Sequence, residues 1–157
     1  MFAIVSDIHS NIEALSAVFA DAEERGIKKF YCLGDVVGYG PNPTECLDLI
    51  IERTEWCVLG NHDYAVFYEP TNFNYGAEQA SFWTRDVMET DEDKALSDKR
   101  WRFLGELPMR RTLEIRAWGT PTPSPIPVLM RPSRVRIAWR NAAGSSTSPL
   151  PASRSIR

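Results

Sequence analysis

Histidine is scarce in this sequence: His9 and His62 are the only two in 157 residues, and beyond Glu114 there is no His, Asp, Glu or Lys at all. Imidazole chemistry, whether metal ligation or proton transfer, is therefore confined to two positions, and carboxylate chemistry to the first 114 residues. Cysteine is equally sparse. Cys32, Cys46 and Cys57 are odd in number and lack any C-x-x-C spacing, which argues against a disulfide framework or a cysteine-rich metal site and for reduced, buried thiols in a cytoplasmic protein. No apolar run approaches the roughly 18 to 20 residues that cross a bilayer, and Met1 to Val5 is too short and uncharged for a signal peptide. The expectation is a cytoplasmic chain with no membrane partner.

What charge there is divides sharply. Residues 1 to 115 hold all 21 acids against 11 basic residues, a net −10, whereas residues 116 to 157 hold seven Arg and no acid, a net +7. A switch this abrupt marks a boundary. The segment 116 to 157 also contains seven Pro and seven Ser, a composition with little means of offsetting chain entropy by burial, so disorder is the expectation there. Arg, Pro and Ser without Lys or acids is also what a GC-rich frame gives when translated out of register, so the expectation is a tail that is either native disordered sequence or a frameshifted continuation. An Arg-rich tail without motif support does not point to nucleic acid.

Within residues 1 to 115 the pattern repeats strand, loop, helix. Phe2 to Val5 is a continuous apolar run of the kind found in buried parallel strands; Ser10 and Glu13 have capping-box spacing, and Ile12, Leu15, Val18, Phe19 and Ala22 follow at helical intervals up to Gly26. Phe30 to Leu33 is a second strand, and Asn42-Pro43 with Glu45 opens a second helix bearing Leu47, Leu49, Ile50 and Ile51. Trp56 to Leu59 is a third strand, with Gly60 to Asp63 as its exit loop. Two further helices are expected, one from Tyr75 and one over Asp93 to Leu107, with Trp83 and Trp101 in the core and Asp91, Glu92 and Asp93 as a solvated helix start; a fourth strand begins at Arg111. Alternating β and α elements with short loops imply an α/β fold with a parallel sheet.

Three polar clusters interrupt the apolar runs: Ser6-Asp7-Ile8-His9, Gly34-Asp35-Val36-Val37-Gly38 and Gly60-Asn61-His62-Asp63. Each falls beyond the carboxyl end of an expected parallel strand, the edge at which α/β sheets bind ligands. Taken singly they read as loop chemistry: Gly34, Gly38 and Gly40 suit a tight loop, and Asn61 and Asp63 suit a turn. Together they place Asp, His and Asn donors at one edge, which suits a divalent metal centre of the kind that activates water and neutralises phosphoryl oxygens.

Asp7-x-His9, Gly34-Asp35-x-x-Gly38 and Gly60-Asn61-His62-Asp63, in this order and spacing, resemble the calcineurin-like metallophosphoesterases. The run Gly34 to Pro41 is most similar to the small bacterial and archaeal phosphodiesterase/phosphatase branch. The resemblance covers residues 1 to 115 and implies a four-layer αββα sandwich of two sheets flanked by helices. It implies that Asp7 and His9 bind a first metal, Asp35 bridges two, Asn61 binds the second, His62 is the catalytic histidine and Asp63 orients it. It further implies a hydrolase acting on phosphomono- or phosphodiesters through a metal-bound hydroxide, with Mn, Fe, Zn or Co as the ion. The family completes its centre with a later strand-end His and a Gly-His-x-His motif, and this chain has no third histidine; Trp118 of Trp118-Gly119-Thr120-Pro121 stands where the family often has that His. The expectation is therefore one tightly held ion, a missing or replaced C-terminal half, and weak or absent turnover. The alternative is a catalytically incomplete metal-binding or interaction protein. Missing sheet strands would leave unpaired edges, which predicts poor solubility or a compensating dimer.

Overall fold

In a computed structural model, which describes residues 1–115, 124–131 and 134–135, the chain builds the expected mixed α/β architecture. Strands β1 (Ala3–Val5), β2 (Phe30–Cys32) and β3 (Thr54–Cys57) form one parallel sheet in the order β1-β2-β3. Helices α1 (Ile12–Glu24) and α2 (Pro43–Arg53) make the two crossovers. Because the strands are added in one direction, right-handed crossovers leave both helices on one face, and the two are in contact. Helices α3 (Asn61–Phe67), α4 (Tyr75–Glu89) and α5 (Lys94–Glu106) follow, with α4 and α5 each packed against α2 and α3.

The core lies between these layers. Phe30, Val36, Leu47, Ile50, Met88 and Leu104 are fully enclosed, and Phe19 of α1 meets Phe30 edge to face with ring centroids 4.6 Å apart. The three cysteines are free and buried among them, as expected, and burial pushes the Cys46 thiol up to about 12. Trp83 departs from expectation: it is 43% exposed, because its position on α4 faces away from the contact with α2 and α3, while Trp101 packs against the core.

Several boundaries differ from the sequence reading for identifiable reasons. Helix α1 is capped by Asn11, whose Oδ1 accepts the Ala14 N–H at 2.9 Å, and not by Ser10, whose own N–H is engaged by the Val36 carbonyl. Strand β3 starts two residues early, directly from the end of α2. It ends at Cys57, since after Val58 the chain turns and Leu59 donates to the Pro108 carbonyl instead of to β2. Asn61 to Asp63, expected in the exit loop of the third strand, instead open a helix over residues 61–67: Asp63 in the first turn accepts the Gly60 N–H at 3.1 Å while Ala65 and Val66 enter the core.

A second sheet joins β4 (Arg110–Ile115), β5 (Ser124–Arg131) and β6 (Arg134–Val135) in antiparallel order. Strands β5 and β6 fall within the segment beyond residue 115 for which no regular structure was expected. Ile126, Val128 and Leu129 supply strand propensity, and the prolines at 125 and 127, two apart, withdraw donors from a single side of the strand only. The rest of the Arg/Pro/Ser-rich tail, with Trp118, lies outside the described residues.

Candidate metal centre

The three polar clusters converge at the carboxyl edge of the parallel sheet, and main-chain hydrogen bonds bring them together. The N–H groups of Asp7, Ile8, His9 and Ser10 donate to the carbonyls of Gly34, Asp35, Asp35 and Val36 at 3.2, 2.9, 3.0 and 2.9 Å. The Gly40 N–H returns to the His9 carbonyl at 3.1 Å. The first loop is thereby fastened along its whole length to the second. Such pairing between two tight loops demands unusual backbone: Asp7, His9, Ser10, Asp35 and Tyr39 all adopt left-handed φ, between 48° and 60°. Strain of this kind costs on the order of 1 to 3 kcal/mol per residue and concentrates where function fixes a side chain.

The third loop is locked in through Asp63. Its carboxylate is fully buried and accepts four backbone N–H groups: Asp35 at 2.8 Å, Gly60 at 3.1 Å, Val36 at 2.9 Å and Val37 at 3.2 Å. Burial and the neighbouring Asp35 push the Asp63 carboxyl up to about 7, against the four N–H bonds that favour its charge. Among the described residues, the hydrogen bonds of the Asp63 carboxylate all go to main-chain N–H groups. Two glycines make the close approach feasible. A Cβ on Gly34 would lie 2.4 Å from the Gly60 nitrogen, and one on Gly60 would lie 2.1 Å from the Asp35 nitrogen.

On this frame Asp7, His9 and Asp35 present one donor atom each, all within 4.8 Å of one another. Asp7 is exposed, His9 half-buried and Asp35 buried. The tautomer of His9 that donates Nδ1–H to the Val37 carbonyl, 3.3 Å away, leaves the Nε2 lone pair beside Asp7 Oδ1 at 4.0 Å, the arrangement of a metal-binding imidazole. Burial raises the Asp35 carboxyl above its ordinary range, partly offset by the His62 N–H that it accepts at 2.7 Å and by His9. A cation among these groups would offset both the desolvation of Asp35 and its repulsion by Asp7. The donor set, two carboxylates and an imidazole, fits Mn, Fe, Zn or Co. Asn61, the remaining expected ligand, opens α3 one residue before His62 and is half-buried.

His62 is buried directly beside this cluster, its ring centroid 4.7 Å from that of His9. Among the described residues its Nδ1 has no hydrogen-bond partner, and burial followed by the nearby His9 depresses its pKa to about 4. Gly38, at φ 93°, leaves the space that the His62 ring fills, since a Cβ there would stand 2.6 Å from Nδ1. Two more rings complete the surroundings: Tyr39 at 4.6 Å and Phe73 at 4.8 Å from His62. Phe73 went unnoticed in the sequence, where only its isolation in a polar stretch, Thr71-Asn72-Phe73-Asn74, marks it.

Comparison with known proteins identifies relatives of this chain. An uncharacterized protein of Methanocaldococcus jannaschii, MJ0912, is 46% identical over 111 residues, which are 69% of this chain and 42% of that protein. The crystal structure of a metallophosphoesterase from Sphaerobacter thermophilus superposes with a TM-score of 0.53 at 37% identity, over 69% of this chain and 41% of that one. The chain thus spans about two-fifths of the length of these relatives. Residues 1–121 match the family described as calcineurin-like phosphoesterase, and the chain belongs to that family.

Proposed function

We propose that this chain holds a divalent metal ion through Asp7, His9 and Asp35, with Asn61 as a further donor, and that His62 serves the hydrolysis of a phosphomono- or phosphodiester at that site. The observation that supports this reading best is the convergence of three donor atoms within 4.8 Å on loops held by main-chain hydrogen bonds. A bound ion supplies Lewis acidity, neutralising phosphoryl oxygens and acidifying water. The chain's own residues do the rest. Asp35, half of whose carboxylate is committed to the His62 N–H, keeps its orientation. His62, depressed to about 4, is neutral at pH 7, so its ring donates a hydrogen bond to a phosphoryl oxygen and takes up a proton only when the anionic ester is beside it; that proton then goes to the leaving oxygen. Asp63 is a positioning residue, acting through the backbone of Asp35 and Gly60.

With two histidines in all, the donor set is smaller than that of a complete dinuclear centre. On this reading, about one bound ion and slow turnover are expected for this chain. Calorimetric titration with Mn²⁺, together with hydrolysis of p-nitrophenyl phosphate and its bis-ester, tests the reading. The expected result is one equivalent of ion and weak hydrolysis, both abolished in Asp35→Ala. Metal-dependent hydrolysis that survives Asp35→Ala overturns the ligand assignment; metal binding with no detectable hydrolysis favours an incomplete, metal-binding protein.

A further inference from the structure

Tyr39 combines three properties that loop packing alone does not require. It is 56% exposed, it sits in left-handed backbone at φ 60°, and its ring lies 5.1 Å from His9 and 4.6 Å from His62. A large aromatic residue is a poor occupant of left-handed backbone, where Gly or Asn is easier, so the fold accepts strain to hold this ring at the rim of the donor cluster. Phe73 reaches the same imidazole from the loop between α3 and α4, 4.8 Å from His62, and the residue before it, Asn72, is also left-handed at φ 62°. Two aromatic rings from separate loops thus flank the imidazole that faces the proposed ion, one of them largely open to solvent.

We infer that Tyr39 and Phe73 form a stacking subsite that selects phosphoesters whose esterified group is a flat aromatic or heteroaromatic ring. Resting on the phosphoesterase reading above, the inference divides the substrate in two. The phosphate meets Asp7, His9, Asp35 and His62, and the planar group lies against Tyr39 with its edge toward Phe73. Stacking on an aromatic side chain gives on the order of a tenfold or greater gain in affinity and tolerates any flat ring, because each has a π-face. Aliphatic esters of the same charge receive none of it.

The test compares phenyl phosphate with methyl phosphate, two monoesters of like charge, by titration into the Mn²⁺-loaded chain, so that binding is read whether or not turnover is measurable. Phenyl phosphate is expected to bind about tenfold more tightly. In Tyr39→Asn, which removes the ring with a residue at ease in left-handed backbone, the ratio should fall toward one, and in Tyr39→Phe it should persist. Phe73→Leu, which keeps apolar bulk without a ring, should lower it in part. Manganese stoichiometry in each variant reports that the donor loops remain assembled. Equal binding of the two esters to the wild-type chain, or a ratio that Tyr39→Asn leaves intact, overturns the stacking subsite while the phosphoesterase reading stands. Manganese binding with affinity for neither ester overturns both.

Discussion

Gly60 is the tightest point of the site. A methyl group there would meet the Asp35 nitrogen at 2.1 Å and its Oδ1 at 2.3 Å, both fixed by other bonds. Gly60→Ala is expected to destabilise the chain by at least about 3 kcal/mol and to abolish metal binding, as forced overpacking against backbone does. Gly76 in the first turn of α4 is the control: its nearest contact is at 3.5 Å, and alanine there should stabilise by about 0.5 to 1 kcal/mol in urea unfolding. Asp63→Ala strands four N–H groups at about 1 to 3 kcal/mol for a buried donor left unpaired. Asp63→Asn, which keeps one acceptor oxygen, should lose less, and in both variants Mn²⁺ affinity should fall although Asp63 is not among the proposed ligands. The proposed ligands were legible in sequence because Asp7, His9, Asp35 and Asn61 fall in polar clusters that break apolar runs at strand ends. The work of Asp63 was not, because three of its four partners are N–H groups 26 to 28 residues away in the chain.

Among the elements, α3 depends most on others. Its seven residues are too few for independent stability, and its last turn is held from α4, where Arg85 donates to the carbonyls of Ala65, Val66 and Tyr68. Arg85→Met should raise amide exchange through α3 selectively and cost about 1 to 3 kcal/mol. Helix α5 is tied to α2 by the Arg100 fork on Asp48, at 2.9 and 2.5 Å, and to the α4–α5 turn by Asp91 at 2.5 Å. The carboxyl of Asp91 lies below its ordinary 3.8, first through the Asp93 N–H and then through Arg100. A depressed folded-state value stabilises above the unfolded value and is lost as pH falls through the folded one. Arg100→Met should therefore lower stability at pH 7 and flatten its decline below about pH 4. Apolar periodicity made α1, α2, α4 and α5 readable. It failed for α3 because a single short helix beginning Asn-His-Asp is indistinguishable from a turn until Ala65 and Val66 find a core to enter.

For the molecule as a whole, the proposed ligand set links metal binding to folding. An ion that binds only the folded chain stabilises it by about 2.7 kcal/mol at a hundredfold excess over its dissociation constant. The melting temperature should rise by several degrees with Mn²⁺, and this shift should vanish in Asp35→Ala. An unchanged melting point in the wild-type chain would sink the proposed ligand set. The parallel sheet and its ligand-bearing edge followed from alternation of strand and helix, whereas β5 was hidden behind a Pro- and Arg-rich composition whose pairing with β4 no local signal announces. The main-chain hydrogen bonds that fasten residues 7–10 to residues 34–36 bear on metal exchange at the proposed site. Donors mounted on backbone already pinned in place do not regroup around each newcomer, so one ion can replace another without any refolding step. Which ion the proposed site would take is then expected to follow the supply of metal more than any adjustment of the protein.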